Sequence, residues 1–349
     1  MSPAGTCCSI EQITFKTPAP ALTAQVNCAY AYAAASHADA WLAEHFQKQN
    51  ALAGKNPAFP EPRPLKADAS PLGEISRTSS GNRSWNGLLA GVIVALFWNL
   101  MILSCPSLGL AAPFLNYRIA AVHAHDPQCF TQGLQFRDGL VYQSSGLYGR
   151  SYLRVWDLST GRALRETPLD RRLFAEGLAL AGNEIVLLTW RESMALRFDM
   201  RTLAPRGSFA YRNQGWGLAF DGQRLIQSDG SAFLILRHPD TFVPLGRLQV
   251  TDQGQPVRLL NELEWIPPEP KAGVLAGMLL ANVWLAERIA VIDPANGQVR
   301  GWLDLSPLTA EAGGGKRDAV ANGIAYDSST GRLLVTGKLW AFLYELELR

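Results

Sequence analysis

Past Tyr117 the chain is a succession of short apolar runs broken by turns rich in Gly, Asp, Asn and Ser. The stretch Phe174 to Trp190, F-A-E-G-L-A-L-A-G-N-E-I-V-L-L-T-W, shows the unit: a strand, a tight turn at Ala181-Gly182-Asn183, and a second strand. Glu176 then stands at the lip of a hairpin. The unit recurs. Its copies begin at Gln132-Gly133-Leu134, Glu176-Gly177-Leu178, Trp216-Gly217-Leu218, Asn261-Glu262-Leu263 and Asn322-Gly323-Ile324, at spacings of 44, 40, 45 and 61 residues. The long last interval holds P-P-E-P-K-A-G-V-L-A-G-M and T-A-E-A-G-G-G-K-R, which read as surface loop insertions. The second strands end at Ser145, Trp190, Asp229, Trp284 and Lys338, and most copies continue into a third and fourth strand around a turn, as in V-W-D-L-S-T-G-R-A-L.

Four strands in a unit of roughly 40–50 residues are the pattern of a propeller blade. Five copies predict an all-β fold, a five-bladed β-propeller over residues 117–349, with Tyr117 to Val122 supplying a strand that closes the ring. A β-sandwich of irregular hairpins is the alternative, and it gives no reason for a fivefold repeat.

Upstream the pattern is different. Residues 1–84 are rich in Ala, Pro, Ser and Thr and read as a poorly ordered leader, with a short helix at about Ala29 to Gln49. Residues 85–116 read as a hydrophobic signal or membrane-anchor helix, since Gly87 to Leu115 carry no charge and residues 87–105 are long enough to span a bilayer. Arg77 and Arg83 precede this run and Arg118 follows, a bias that puts the propeller outside the cytoplasm, as a periplasmic protein either anchored through 87–105 or released by cleavage near Gly109 and Ala111. Lipid attachment at Cys105 and a buried core helix are further readings of the same run.

Composition narrows the function. A content of 48% hydrophobic and 18% charged residues fits a folded core, and a net charge of +2 with no dense Lys/Arg stripe argues against a nucleic-acid partner. Cys7, Cys8, Cys28 and Cys105 precede the repeats and only Cys129 lies within them, so no disulfide framework or Cys-x-x-Cys metal signature follows. His123, His125, Asp126, Asp229 and Asp252 have no spacing that matches a metal-ligand set, and neither a metal nor another cofactor is expected.

In a propeller the innermost strands line the central channel, so equivalent residues of all blades meet there. The repeat predicts two rings: Gln132, Glu176, Trp216, Asn261 and Asn322, and Ser145, Trp190, Asp229, Trp284 and Lys338. Acids, a base, amides and indoles at equivalent places describe an asymmetric pocket on a symmetric scaffold.

Over Ile119 to Leu348 the motifs H-D-P-Q-C-F-T-Q-G-L, S-S-G-L-Y-G-R-S, F-A-E-G-L, L-L-T-W, G-W-G-L, S-D-G-S, T-D-Q-G-Q-P-V-R-L-L-N-E-L-E, A-N-V-W, N-G-I-A-Y-D and T-G-K-L-W occur in order. In these the chain resembles the plant and bacterial type of glutaminyl-peptide cyclotransferase. It departs from that family at Ala175, where Gly is usual, and in its leader. The resemblance implies a five-bladed propeller that turns N-terminal glutamine of peptides and proteins into pyroglutamate with loss of ammonia. It implies Glu176 as the catalytic acid, Gln132, Asn261 and Lys338 as its polar partners, and Phe130, Phe174, Trp190, Trp216 and Trp284 as aromatic walls. On this reading Glu176 shuttles the proton, Asn261 and Lys338 stabilise the intermediate, and Gln132 and the walls bind the substrate of a monomeric enzyme. A non-catalytic extracytoplasmic peptide-binding propeller is the main alternative, and a metal-dependent sugar or lactone hydrolase a third.

Overall fold

A computed structural model describes residues 111–349, which are built around five four-stranded antiparallel sheets, with a small two-stranded hairpin, Thr251–Asp252 and Gln255–Pro256, between the third and fourth. Blade 1 runs Thr131–Arg137, Leu140–Ser145, Tyr152–Asp157 and Ala163–Pro168; blade 2 runs Ala175–Ala181, Glu184–Thr189, Met194–Asp199 and Pro205–Ala210. Blade 3 is Leu218–Phe220, Leu225–Gln227, Phe233–Arg237 and Pro244–Gln249, and blade 4 is Leu260–Trp265, Leu279–Val283, Arg288–Ile292 and Val299–Asp304. Blade 5 is made of Ala321–Asp327, Arg332–Gly337 and Phe342–Leu348, and the strand Tyr117–Ala124 completes it by pairing Tyr117 with Leu348 through Ala124 with Phe342. The ring is therefore closed by the strand expected for it.

Burial grades outward. In blade 2 the inner two strands, A-E-G-L-A-L-A and E-I-V-L-L-T, are buried almost throughout, whereas the outermost, P-R-G-S-F-A, is mostly exposed. Strands packed on both faces read as unbroken apolar runs, which is why the inner pairs carried the repeat signal. The outer turns have their own chemistry. Asp157 Oδ1 accepts hydrogen bonds from Thr160 N and Thr160 Oγ1, both at 2.8 Å, and Asp199 Oδ1 does the same with Thr202. An aspartate that holds its own turn needs little else to end a strand.

Both insertions of the long interval are structured. Pro270–Leu275 forms a 3-10 helix that buries Ala272 and Leu275, and Ser306–Ala312 forms a short α-helix, α1, that buries Leu308 and Ala312. They join the hydrophobic cluster of blades 4 and 5, and the backbone of Val320 and Ala319 receives Lys338 N at 2.9 Å and Trp340 Nε1 at 3.0 Å. The sequence reads them as surface loops, and most of their residues are exposed or half-buried, but Leu275 in the first and Ala312 in the second are buried anchors. The leader, 1–84, and the run 87–105 lie outside the described residues. Of the residues that follow, Leu115 N donates to Trp302 O at 2.8 Å, along the outer strand of blade 4. No described helix is long and apolar enough to cross a membrane.

Blade 4 alone has no glycine after the marker residue. Glu262 stands there, fully buried, and its carboxylate accepts Leu134 N of blade 1 at 3.2 Å and Ile324 N of blade 5 at 2.8 Å. Two residues on, Glu264 accepts Tyr326 N at 2.8 Å and the Gln135 side chain. One strand thus ties three blades together across the channel. Burial raises the Glu262 carboxyl well above the usual range and pushes Glu264 up to about 8. A carboxyl raised by folding contributes most stability below its unfolded pKa, and that contribution is lost as pH rises through the folded value. The melting temperature should therefore fall between about pH 4.5 and pH 8. Glu264→Gln should flatten that slope in thermal melts taken across the window; an unchanged slope would remove Glu264 from the account.

Candidate active site

Each inner strand is irregular where its marker residue stands. The pairing register shifts between Thr131 and Gly133, Ala175 and Leu178, Leu260 and Leu263, and Ala321 and Ile324, while in blade 3 the strand starts only after Trp216 and Gly217. A bulge takes a residue out of the ladder and re-aims its side chain. Gln132, Glu176, Asn261 and Asn322 are freed in this way. Two serines at equivalent places hold the bulges: Ser144 Oγ donates to Glu176 O and Ser228 Oγ to Asn261 O, both at 2.6 Å, each reaching from one blade to the next. Their signal in the sequence was a serine just before the second-ring residue, in S-S-G and S-D-G.

Glu176 and Lys338 are both buried, at 5% exposure each. Burial pushes the Glu176 carboxyl well up, opposed by the Lys338 charge and reinforced by Glu192. Burial likewise brings Lys338 down to about 8, against the pull of Glu176 and Asp318. Lys338 Nζ lies 4.8 Å from the centre of the Phe130 ring. From there an aromatic wall runs on: Phe130 meets Phe174 at 6.4 Å, Phe174 meets Trp190 at 5.4 Å, and Trp216 meets Trp284 at 5.5 Å. All five expected wall residues belong to these contacts.

The wall has one junction that is not ring against ring. Gln214 Oε1 accepts hydrogen bonds from Trp190 Nε1 at 2.8 Å and from Trp216 Nε1 at 3.1 Å. An indole nitrogen can only donate, so the amide atom between them must be the oxygen. Gln214 is itself held, since its main-chain carbonyl accepts Gln227 Nε2 at 3.0 Å. Nothing in a lone Gln before G-W-G-L marked it in the sequence. Gln214→Met, which keeps the length and loses the acceptor, should release both indoles. The expected result is an upfield move of two indole N–H signals in proton NMR and a rise in KM of about tenfold, equivalent to about 1.4 kcal/mol. Unmoved indole signals would show that the bond does not hold them.

The amides gather at the junction of blades 4, 5 and 1. Asn322 Nδ2 donates to Thr131 O at 2.9 Å and to Gln132 Oε1 at 3.3 Å, and Asn282 Oδ1 accepts Gly323 N at 2.9 Å. Asn261 Oδ1, Asn322 Oδ1 and Asn282 Nδ2 are buried with no partner among the described residues. Each such atom costs about 1–3 kcal/mol, and native structures keep few of them outside functional sites. Two second-ring residues are engaged elsewhere. Ser145 Oγ accepts Phe130 N at 3.0 Å, and Asp229 Oδ1 accepts Ser231 N at 3.0 Å. The histidines and acids weighed as metal ligands have other partners: His125 contacts Trp340 O and Gln143, Asp126 pairs with Arg154, and Asp252 accepts Trp302 Nε1.

This site can move a proton at a buried carboxyl, offer a cation beside it, and enclose an aliphatic chain between rings. Comparison with known proteins places the chain in a family. The profile of the glutamine cyclotransferase family matches residues 93–348. The chain belongs to that family. A glutaminyl-peptide cyclotransferase of Arabidopsis thaliana is 36% identical over 271 residues, covering 75% of this chain and 81% of the relative. The crystal structure of Myxococcus xanthus glutaminyl cyclase superposes with a TM-score of 0.61 at 34% identity, over 67% of this chain and 98% of that one. The family's fold and this chain's five blades are thus the same architecture.

Proposed function

We propose that the protein is a glutaminyl-peptide cyclotransferase that converts N-terminal glutamine to pyroglutamate and releases ammonia, with Glu176 as its proton shuttle. The observation that carries the assignment of roles is the buried carboxyl of Glu176 facing the field of a buried lysine within an aromatic wall. The substrate α-amine attacks its own γ-carbonyl carbon, forming the ring C–N bond. Glu176 accepts the amine proton as that bond forms and returns it to the leaving nitrogen, so the old C–N bond breaks and ammonia departs. A carboxyl raised toward neutrality suits both transfers.

Negative charge collects on the former carbonyl oxygen in between. Lys338 answers it, helped by Asn261, whose carboxamide has an unpaired buried oxygen and can turn to present its nitrogen. One such donor is worth about 3 kcal/mol. Gln132, already held by Asn322, is left to take the first peptide group, and the aromatic wall keeps the glutamine stem bent and water out.

Incubation of the protein with a glutamine-initiated peptide, followed by ammonia release and product mass, tests the activity. Tight binding without ammonia would leave a binding propeller instead. The pH profile tests the roles. In kcat/KM the free α-amine, which titrates at about 7.7–8.0, and the Glu176 carboxyl, raised by burial, together set a rising limb, and Lys338, brought down to about 8, sets a falling one. The profile should be a narrow bell near pH 8. Lys338→Arg keeps the cation and should abolish the falling limb alone; a limb that stays would belong to another group. We further propose that the propeller works as a monomer and, on the charge bias flanking residues 87–105, outside the cytoplasm. Cell fractionation checks the compartment.

A further inference from the structure

Four consecutive loops on the face where the pocket opens each carry an exposed arginine: Arg150, Arg171, Arg191 and Arg212. They share a face by topology. The loop from second to third strand and the loop between blades both lie at the end where inner strands begin, so each blade contributes two of them, and the arginines fall 21, 20 and 21 residues apart.

These loops are stitched into one rim. Gly149 N donates to Arg171 O at 2.9 Å, and Tyr148 Oη donates to Glu192 Oε1 at 2.7 Å. Ser193 Oγ donates to Asn213 O at 2.9 Å and Gly215 N to Trp190 O at 3.0 Å. The rim also meets the pocket wall directly, because the Arg191 guanidinium lies 4.0 Å from the centre of the Trp190 ring.

The charge on the rim is one-sided. Its five guanidiniums, those four and Arg172, face two carboxylates. Asp170 forms a two-pronged pair with Arg172, at 3.0 and 2.8 Å, and Glu192 accepts from Tyr148 and keeps its charge, so the loops carry three positive charges in excess. At its blade 1 end the rim borders a polar cavity of about 110 Å³ lined in part by Arg150, Arg154 and Tyr152, with Asp126 paired to Arg154.

We propose that this basic arc binds the residues that follow the N-terminal glutamine and favours acidic ones. This rests on the reading of the pocket as a glutamine site. With the first residue enclosed, the peptide must leave across the mouth at about 3.3–3.6 Å per residue, so its next three or four residues lie within reach of the arc. Fixed like charges at a cleft raise the local concentration of an oppositely charged partner, more in low salt than in high.

The test compares Gln-Ala-Glu-Glu-Ala with Gln-Ala-Lys-Lys-Ala, and with glutamine amide, which is too short to reach the arc. At low ionic strength kcat/KM should favour the acidic peptide by about tenfold, and the preference should collapse in 0.5 M salt, where screening acts over about 4 Å. The triple variant Arg150→Glu, Arg171→Glu, Arg212→Glu should reverse the preference while glutamine amide is turned over as before, which also shows that the variant is folded. Equal turnover of both peptides at low salt, or a preference that survives the triple variant, would overturn the arc and leave the cyclase reading intact. No ammonia from any of the three substrates would overturn both.

Discussion

Glu176→Gln should lose turnover by about a thousandfold or more while the protein stays folded. General acid–base catalysis by a placed side chain supplies about 10²–10⁴ in rate, and here one group would make both transfers. The substitution keeps the side chain's shape and removes a carboxyl that burial disfavours in its charged form. The melting temperature should therefore hold or rise. Kinetics by ammonia release together with a thermal melt decide it. A variant with near-normal kcat would sink the assignment, and one that is unfolded would be replaced by Glu176→Asp, where the acid is kept but withdrawn and a partial loss is expected.

The second large effect is structural. Gly217→Ala should destabilise the propeller by about 4 kcal/mol or more, placing it among the rare severe single changes. A Cβ at Gly217 would sit 2.0 Å from Asn261 O, 2.8 Å from Asn261 C and 2.9 Å from Glu262 Cα, all of them backbone. Nothing flexible can yield there. The inner strands of blades 3 and 4 would have to separate, loosening Ser228 from Asn261 and the Glu262 ties to Leu134 and Ile324. Gly139→Ala is the control: its φ is +79°, but nothing stands within 4 Å, so it should cost only about 1–2 kcal/mol. Denaturant titration of both variants measures the difference. Equal midpoints would mean that the inner strands tolerate far more spreading than their spacing allows.

That same close approach explains why so much of the fold could be read from the sequence. Gly133, Gly177 and Gly217 recur because neighbouring inner strands nearly touch there, and a repeat imposed by packing survives in the letters. Glu176, Lys338, Trp190, Trp216 and Trp284 stood out for the complementary reason, since they break the symmetry at equivalent positions, whereas Phe130 and Phe174 came only from the family resemblance. Other features were not. Gln214 matters through two bonds to residues that are only neighbours in space, and no local pattern records them. The carboxyl ties of Glu262 and Glu264 join blade 4 to blades 1 and 5, across 62 residues of chain in one direction and nearly 130 in the other. The basic arc escaped for a similar reason. Its arginines stand some 20 residues apart, so the chain shows no stripe until the ring gathers them.

Closure of the ring by Tyr117–Ala124 has a mechanical consequence. The strand begins where its partner Phe342–Leu348 ends, and Arg349 N still donates to Asn116 O at 3.0 Å. Tension between Asn116 and Arg349 would therefore load the hydrogen bonds of that ladder one at a time, from the open end inward. The ring is strong against any disturbance shared by all its rungs and weak against one that peels them in sequence.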